Sequence, residues 1–268
     1  MKKISVLGCG WLGFPLAQAL IKNNYLVKGS TTSQDKLDNL KENQIQAFLI
    51  SLDEDKIYGD VIHFLKDTNT LIINIPPKLR GNNKENFVTK INNIVPFIQQ
   101  SNIKNVLFVS STSVYSDSEA ILEINEDSIA IPESESGKQL LEVENLLLNN
   151  TSFKTTILRF GGLIGKDRHP VKFLAGRENI ENPNGPVNLI HQEDCINIIL
   201  KILETNSWNT IFNAVAPFHP SRKEYYTQKA IDLGLELPHF TDSKLSIGKI
   251  ISSKKLIDDL EYHFLHQI

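Results

Sequence analysis

The first thirteen residues constrain this chain more than any other stretch. Ile4-Ser5-Val6-Leu7 reads as a buried strand, while Leu12, Leu16, Ala19 and Leu20 fall at helical spacing. Between the two runs lies Gly8-Cys9-Gly10-Trp11-Leu12-Gly13. As a bare string such glycine spacing says little. It becomes informative when it follows a strand and opens a helix, as it does here. The three glycines serve different ends. Gly8 permits the tight turn, Gly10 lets the backbone approach a diphosphate, and Gly13 lets the helix lie close to the strand. The N–H groups at the helix start, at the positive end of the helix dipole, then suit an anion. Cys9 reads as a small filler of the turn rather than a reactive thiol. The ordinary alternative is a plain strand–helix turn. The placement favours a dinucleotide-binding turn, with Gly8, Cys9, Gly10, Trp11, Leu12 and Gly13 as its contacts.

The remaining pattern extends that beginning. Tyr25–Lys28, Gln46–Ile50, Thr70–Ile75, Asn105–Ser110, Lys154–Phe160 and Thr210–Ala214 read as strands. Helical patterns fall near Lys56–Leu65, Lys84–Gln100, Gly137–Leu148, Glu193–Glu204 and Ser221–Leu233, and Lys249–Ser252 predicts a short strand before a terminal helix. Pro96 should kink the Lys84–Gln100 helix or end it early. Strands that are continuously apolar and alternate with helices form a parallel sheet covered on both faces, with right-handed crossovers. The predicted fold is α/β, a Rossmann-type doubly wound parallel sheet of about seven strands with a small C-terminal lobe. Residues 1–160 form the dinucleotide-binding domain. Residues 161–268 form a C-terminal part whose Gly161–Asn188 loops face the substrate, and the absence of a flexible linker predicts that both pack as one body. Ligands of such sheets lie outside the carboxyl ends of the strands. That edge adds Asn74, Ile75 and Pro76, after the fourth strand, and Ser110, at the end of the fifth, to the cofactor contacts.

Composition narrows the function classes. A net charge of −3, with scattered lysines and arginines, provides no basic stripe for nucleic acid. Two cysteines, Cys9 and Cys195, without metal-ligand spacing, predict no metal site and a reducing, cytoplasmic setting. The apolar run at the N-terminus stops at the glycines, too soon for a signal peptide, and no run approaches the ~20 residues of a membrane span.

The end of the second strand selects between nucleotides. Enzymes using NAD commonly place Asp or Glu there, on the ribose 2′-hydroxyl. Here the order is Lys28-Gly29-Ser30-Thr31-Thr32-Ser33, with no carboxylate before Asp35. Ser30, Thr31 and Thr32, with Lys36 or Lys28 nearby, suit a 2′-phosphate better, so NADP(H) is expected over NAD(H). Alternatively, the hydroxyls merely cap the next helix.

Val109-Ser110-Ser111-Thr112-Ser113-Val114-Tyr115, Ile157-Leu158-Arg159-Phe160-Gly161-Gly162-Leu163-Ile164-Gly165, Asn188-Leu189-Ile190-His191-Gln192-Glu193-Asp194 and Ile211-Phe212-Asn213-Ala214 occur in this order. Together they resemble the extended short-chain dehydrogenase/reductase superfamily of nucleotide-sugar epimerases and dehydratases. The closest resemblance is to an atypical, epimerase-like branch with Gly-Cys-Gly-Trp-Leu-Gly at its start. The resemblance implies an NAD(P)-dependent epimerase, dehydratase or reductase, with Ser111 polarising the reacting oxygen. The 6-phosphogluconate-type dehydrogenases share the glycine turn, but their long all-helical second domain does not match the strands predicted here.

One departure concerns the chemistry. Extended members carry Tyr-x-x-x-Lys at the start of the helix after the serine strand, the Tyr as general acid/base and the Lys lowering its pKa. Here the segment is Pro132-Glu133-Ser134-Glu135-Ser136-Gly137-Lys138-Gln139-Leu140. If Lys138 is the family lysine, Ser134 stands at the tyrosine position. If Gly137 and Glu144 set the register, the two positions hold Ser136 and Leu140. Tyr115 and Lys138 are the candidate substitutes. Glu133 and Glu135 read as ordinary partners of the helix dipole.

Arg168, His169 and Lys172, with Arg177, make the substrate loop cationic and suggest a nucleotide-linked or otherwise anionic small molecule. His191 and Asp194 read as a structural pair rather than a catalytic dyad. Family resemblance also implies a homodimer through the helices at Lys84–Gln100 and Gly137–Leu148. The alternative function is an NADP(H)-binding sensor or scaffold that has lost catalysis with the tyrosine.

Overall fold

A computed structural model describes residues 2–77, 79, 85–242 and 245–268. Seven parallel strands form the central sheet: β1 (Lys3–Leu7), β2 (Leu26–Thr31), β3 (Gln46–Leu49), β4 (Thr70–Ile73), β5 (Asn105–Ser111), β6 (Lys154–Phe160) and β7 (Thr210–Ala214). Their spatial order is β7-β6-β5-β4-β1-β2-β3. Ile4 of β1 lies opposite Val27 of β2 on one side and Thr70 of β4 on the other. The strand order therefore reverses direction between β1 and β4, and a crevice opens at their carboxyl ends, where doubly wound sheets bind ligands.

Helices cover both faces. On one face α1 (Gly13–Lys22), α6 (Gln192–Thr205) and α8 (Lys254–Leu260) bury Leu16, Leu20, Ile198, Ile202 and Leu256 against Val6, Leu107 and Leu158. On the other, α3 (Val61–Leu65), α4 (Phe87–Gln99) and α5 (Glu135–Leu148) bury Phe64, Ile91, Ile94, Val143 and Leu147 against Ile73, Phe108 and Ile157. Each such side chain contributes roughly 1.5–3 kcal/mol on leaving water. A smaller core of Ile164, Val171, Leu189, Tyr225 and Tyr226 joins α7 (Arg222–Asp232) to the loops after β6. Within those loops Gly162–Ile164 pairs with Leu189–His191. None of the described helices is long and apolar enough to cross a membrane.

Two helices differ from the sequence expectation. The helix expected at Lys56–Leu65 shortens to α3, because Ile57–Tyr58 instead pairs with Ser51–Leu52 as an antiparallel ladder. The start of the helix expected at Lys84 lies outside the described residues; α4 begins at Phe87, with the Asn86 side chain accepting from Thr89 N–H. Pro96 neither ends nor interrupts α4. Pro96 and Asn92 both face solvent, so water can take the Asn92 carbonyl that a proline cannot bond.

Candidate functional site

A cleft of about 650 Å³ lies over the carboxyl ends of β1, β2, β4 and β5. At its floor Gly8 has φ +103°, and a side chain there would stand 2.5 Å from the Asn74 carbonyl oxygen. A Cβ on Gly13 would stand 2.1 Å from the Gly8 carbonyl oxygen. The protein itself thus demands both glycines, one by backbone conformation and both by crowding. Gly10 is different. A Cβ there would meet nothing within 4 Å among the described residues, so the chain gives no internal reason for a glycine at that position. Gly8 N–H donates to the Ser30 hydroxyl (3.0 Å) and Cys9 N–H to the Ser30 carbonyl (2.8 Å). The Asn74 amide donates to the Gly8 carbonyl at 3.0 Å. Among the described residues no acceptor takes the N–H groups of Gly10, Trp11 or Leu12. An open recess beside three uncommitted N–H groups fits a diphosphate.

The expected cofactor contacts Gly8, Cys9, Gly10, Trp11, Leu12, Ser30, Thr31, Thr32, Lys36, Asn74, Ile75, Pro76 and Ser110 all line this cleft, as do Ser111 and Arg168. Gly13 stands behind the turn instead. Burial pushes the Cys9 thiol up to about 12, in keeping with a filler. Lys28 does not reach the cleft. Its ammonium donates to the His63 and Lys66 carbonyls, 2.6 Å each, at the end of α3, leaving Lys36 as the cation near the β2 hydroxyls. Thr31 accepts from Ser33 N–H, and Ser33 forms no side-chain cap on the short turn that follows. The cleft also holds residues the sequence did not single out. Asp53 comes from the segment after β3, Glu85 and Lys90 form an ion pair, and Leu140 and Leu163 provide apolar wall. Their contribution depends on tertiary contact between distant segments, and no local pattern announces it.

The other end of the cleft corrects several expectations. Gly137 packs against the Ser113 carbonyl oxygen, where a Cβ would stand 2.4 Å away, and this fixes the rotation of α5. Leu140 then lines the cleft while Lys138 is exposed outside it. Residues four apart share a helix face, so Ser136 falls on the Leu140 side of α5, and Lys138, the other expected lysine position, stands away from the cleft. Tyr115, expected as a substitute acid, lies in the core and not among the residues lining the cleft. It is 3% exposed, its hydroxyl accepts from the Arg159 guanidinium, and Asn213 Oδ1 lies 3.3 Å from it. Burial pushes its phenol above the usual value. Arg159 in turn grips the buried Glu144 carboxylate through Nε and its terminal nitrogen, and Ser110 Oγ donates to the same carboxylate at 2.5 Å. The Ser110 proton is therefore committed to the core. Ser111 remains half-buried in the cleft, its hydroxyl accepting from Ser113 N–H at 3.1 Å.

The substrate loop also divides. His169 is occupied on both ring nitrogens, accepting from Val171 N–H at Nδ1 and meeting the Tyr225 hydroxyl 2.9 Å from Nε2. Burial, with Lys229 and Lys172 nearby, lowers its pKa. It is a fastener of the small lobe, and neither it nor the exposed Lys172 lines the cleft. Arg168 does, with its guanidinium 5.0 Å over the Trp11 ring. Asp194 is structural, but its partner is the C-terminal segment and not His191. Its carboxylate accepts from the Tyr262 hydroxyl and from the Leu265 and His266 N–H groups. His191 caps α6 and lies against His266, ring centroids 3.7 Å apart.

The architecture is a Rossmann-type doubly wound α/β fold with its cleft at the carboxyl edge of the sheet, the fold also found in solved epimerase/dehydratase structures. No family model matches the sequence. The chain is 35% identical over 266 residues to protein YeeZ of Escherichia coli K12, covering 98% of this chain and 96% of that one, and it belongs to the YeeZ family. Solved structures share the fold at lower identity. UDP-glucose 4-epimerase of Thermotoga maritima, solved with UDP-glucose, matches with TM-score 0.81 at 17% identity, over 99% of this chain and 94% of that one. UDP-glucuronic acid 4-epimerase of Bacillus cereus, solved with NAD, matches with TM-score 0.79 at 20% identity, over 99% and 92%.

Proposed function

We infer that this protein binds a nicotinamide dinucleotide in the cleft and acts as an epimerase, dehydratase or reductase on a nucleotide-linked or otherwise anionic small molecule. The observation that carries the reading is the recess at Gly10, a glycine that nothing in the chain explains, beside N–H groups that nothing in the chain uses. Gly10, Trp11 and Leu12 would hold the diphosphate. Ile75, Pro76 and the other apolar wall residues would flank the adenosine half. When bound, the cofactor supplies hydride chemistry. The similarity to structures solved with NAD and with UDP-sugars supports this direction.

NADP(H) is the preferred form in this reading. Thr31, Thr32 and Lys36 gather at the end of β2, and the cleft carboxylates among the described residues, Asp53 and Glu85, come from after β3 and before α4 instead. Ser111 would polarise a substrate oxygen, and with Ser136 and Leu140 at the tyrosine and lysine positions the proton relay would differ from the family's, because they offer neither a phenol nor a cation. The test is binding followed by turnover. Titration should give a smaller Kd for NADPH than for NADH, and tighter NADH binding defeats the preference. A screen of UDP-sugars and simple carbonyl compounds should find a substrate whose conversion Ser111→Ala reduces at least about a hundredfold, the scale of a lost acid/base or polarising contact. Tight cofactor binding with no conversion of any substrate would leave a sensor or scaffold instead.

A further inference from the structure

Resting on the dinucleotide reading above, we propose that Arg168 is the second wall of the diphosphate seat, carried there by a strap from the C-terminal lobe that is fastened to Trp11. The strap is the tight turn at residues 165–168. Gly165 N–H donates to the Arg168 carbonyl at 2.8 Å, and Arg168 N–H returns a bond to the Gly165 carbonyl at 3.1 Å. Trp11 is gripped on several sides. Its indole N–H donates to Asp167 Oδ1 at 2.9 Å, and its carbonyl accepts from the Gln192 amide at 2.6 Å. Its ring lies so near Gly165 that a Cβ there would stand 2.8 Å from it. A residue of the glycine turn is thus locked to a loop more than 150 positions later in the chain, and the Arg168 guanidinium is laid across its ring.

Charge assigns the occupant. Among the described residues, three cations line the cleft. Lys90 is paired with Glu85, and Lys36 stands with the hydroxyls at the end of β2. Arg168 has neither an ion pair nor a side-chain hydrogen bond among the described residues, because the neighbouring Asp167 is turned to the indole. A guanidinium held over an aromatic ring, with its N–H groups unbonded among the described residues, can offer its forked edge to paired phosphate oxygens. The uncommitted amides of Gly10, Trp11 and Leu12 form one wall of the recess and the guanidinium forms the other. The same edge suits a phosphate of either cofactor or substrate; its position on Trp11, inside the glycine turn, assigns it to the cofactor.

Full-length protein and its Arg168→Gln, Arg168→Lys, Asp167→Ala and Lys166→Gln variants, each checked for an unchanged melting temperature, test this. The probes are ADP-ribose, which has the diphosphate, and adenosine 2′-monophosphate, which lacks it, read by calorimetry. Arg168→Gln should weaken ADP-ribose about tenfold or more, the scale of a lost charge-assisted hydrogen bond, and leave the 2′-monophosphate within about twofold. Arg168→Lys should fall between, and Asp167→Ala should lose less than Arg168→Gln because the cation remains but is no longer aimed. Lys166→Gln, an exposed cation on the same turn, should bind like wild type. The proposal is overturned if Arg168→Gln keeps wild-type affinity for ADP-ribose, if it loses both probes equally, if Lys166→Gln loses as much, or if only a substrate KM rises. Wild-type protein that binds neither ADP-ribose nor NADPH overturns the dinucleotide reading itself, a different failure from an intact site indifferent to Arg168.

Discussion

At the glycine end of the cleft, crowding by the Asn74 and Gly8 carbonyls fixes Gly8 and Gly13, and the N–H groups of Gly10, Trp11 and Leu12 take no acceptor among the described residues. At the other end α5 turns Leu140 into the cleft and leaves Lys138 outside it, and the nearby Tyr115 is sealed into a core network with Arg159 and Glu144. The contrast separates two ways of making a site. The first end is written in backbone, so crowding enforces Gly8 and Gly13 whatever the chemistry is, while Gly10 faces open space. The second is written in side chains, which can be exchanged without disturbing the fold. Binding geometry can therefore persist in full while the catalytic inventory differs.

Four substitutions or conditions would break or sharpen that contrast. The largest effect should come from the sealed network. Glu144→Ala leaves Arg159 buried without its carboxylate, and urea unfolding should show a loss of about 3–5 kcal/mol, the cost of an orphaned buried charge. A smaller loss would mean that Tyr115 and water rescue the guanidinium. Gly13→Ala comes next, since its Cβ would press on the Gly8 carbonyl; overpacking of this kind costs about 1–3 kcal/mol, and dinucleotide affinity should fall with it. Gly10→Ala should part the two properties. Its Cβ meets open space, so stability should stay within about 0.5 kcal/mol, while NADPH affinity drops at least about tenfold as the added methyl fills the recess. A variant that binds normally would show that Gly10 is not the seat.

The smallest effect is one of pH. Burial holds the folded-state pKa of His169 below its unfolded value of about 6.5, so acid protonates the unfolded chain first. The neutral ring's contribution to stability is full above about pH 7 and falls as the pH drops through 6.5. Wild type should therefore lose melting temperature between pH 7.5 and 5.5, and His169→Gln should lose less over the same interval. Equal slopes would mean that His169 protonates alike in the folded and unfolded chain.

Most of the architecture is legible in the sequence because each strand is a short apolar run that must be buried on both faces, a demand visible in residues such as Leu71-Ile72-Ile73 without any neighbour. The glycine turn is legible for the same reason, its constraints being local. What is not legible depends on rotation and distance. Lys138 and Leu140 differ by about half a turn of α5, and only the contact of Gly137 with Ser113 decides which enters the cleft. Lys28 misleads because a strand residue near its end can serve either the site or the neighbouring helix, and the carbonyls of His63 and Lys66 claim it. Arg168 is visible as a cation in a loop, but its neighbour across the fold, Trp11, cannot be read from spacing.

The bond from the Asn74 amide to the Gly8 carbonyl joins the loop after β4 to the loop after β1 before any ligand arrives. Two segments that would otherwise fluctuate separately are thereby tied into one ring. A guest entering such a ring has little backbone left to organise, and less of its contact energy is spent on loop ordering. Cutting the tie, as in Asn74→Ala, would make capture slower and its entropy more unfavourable, even though Asn74 need never touch the guest through its amide.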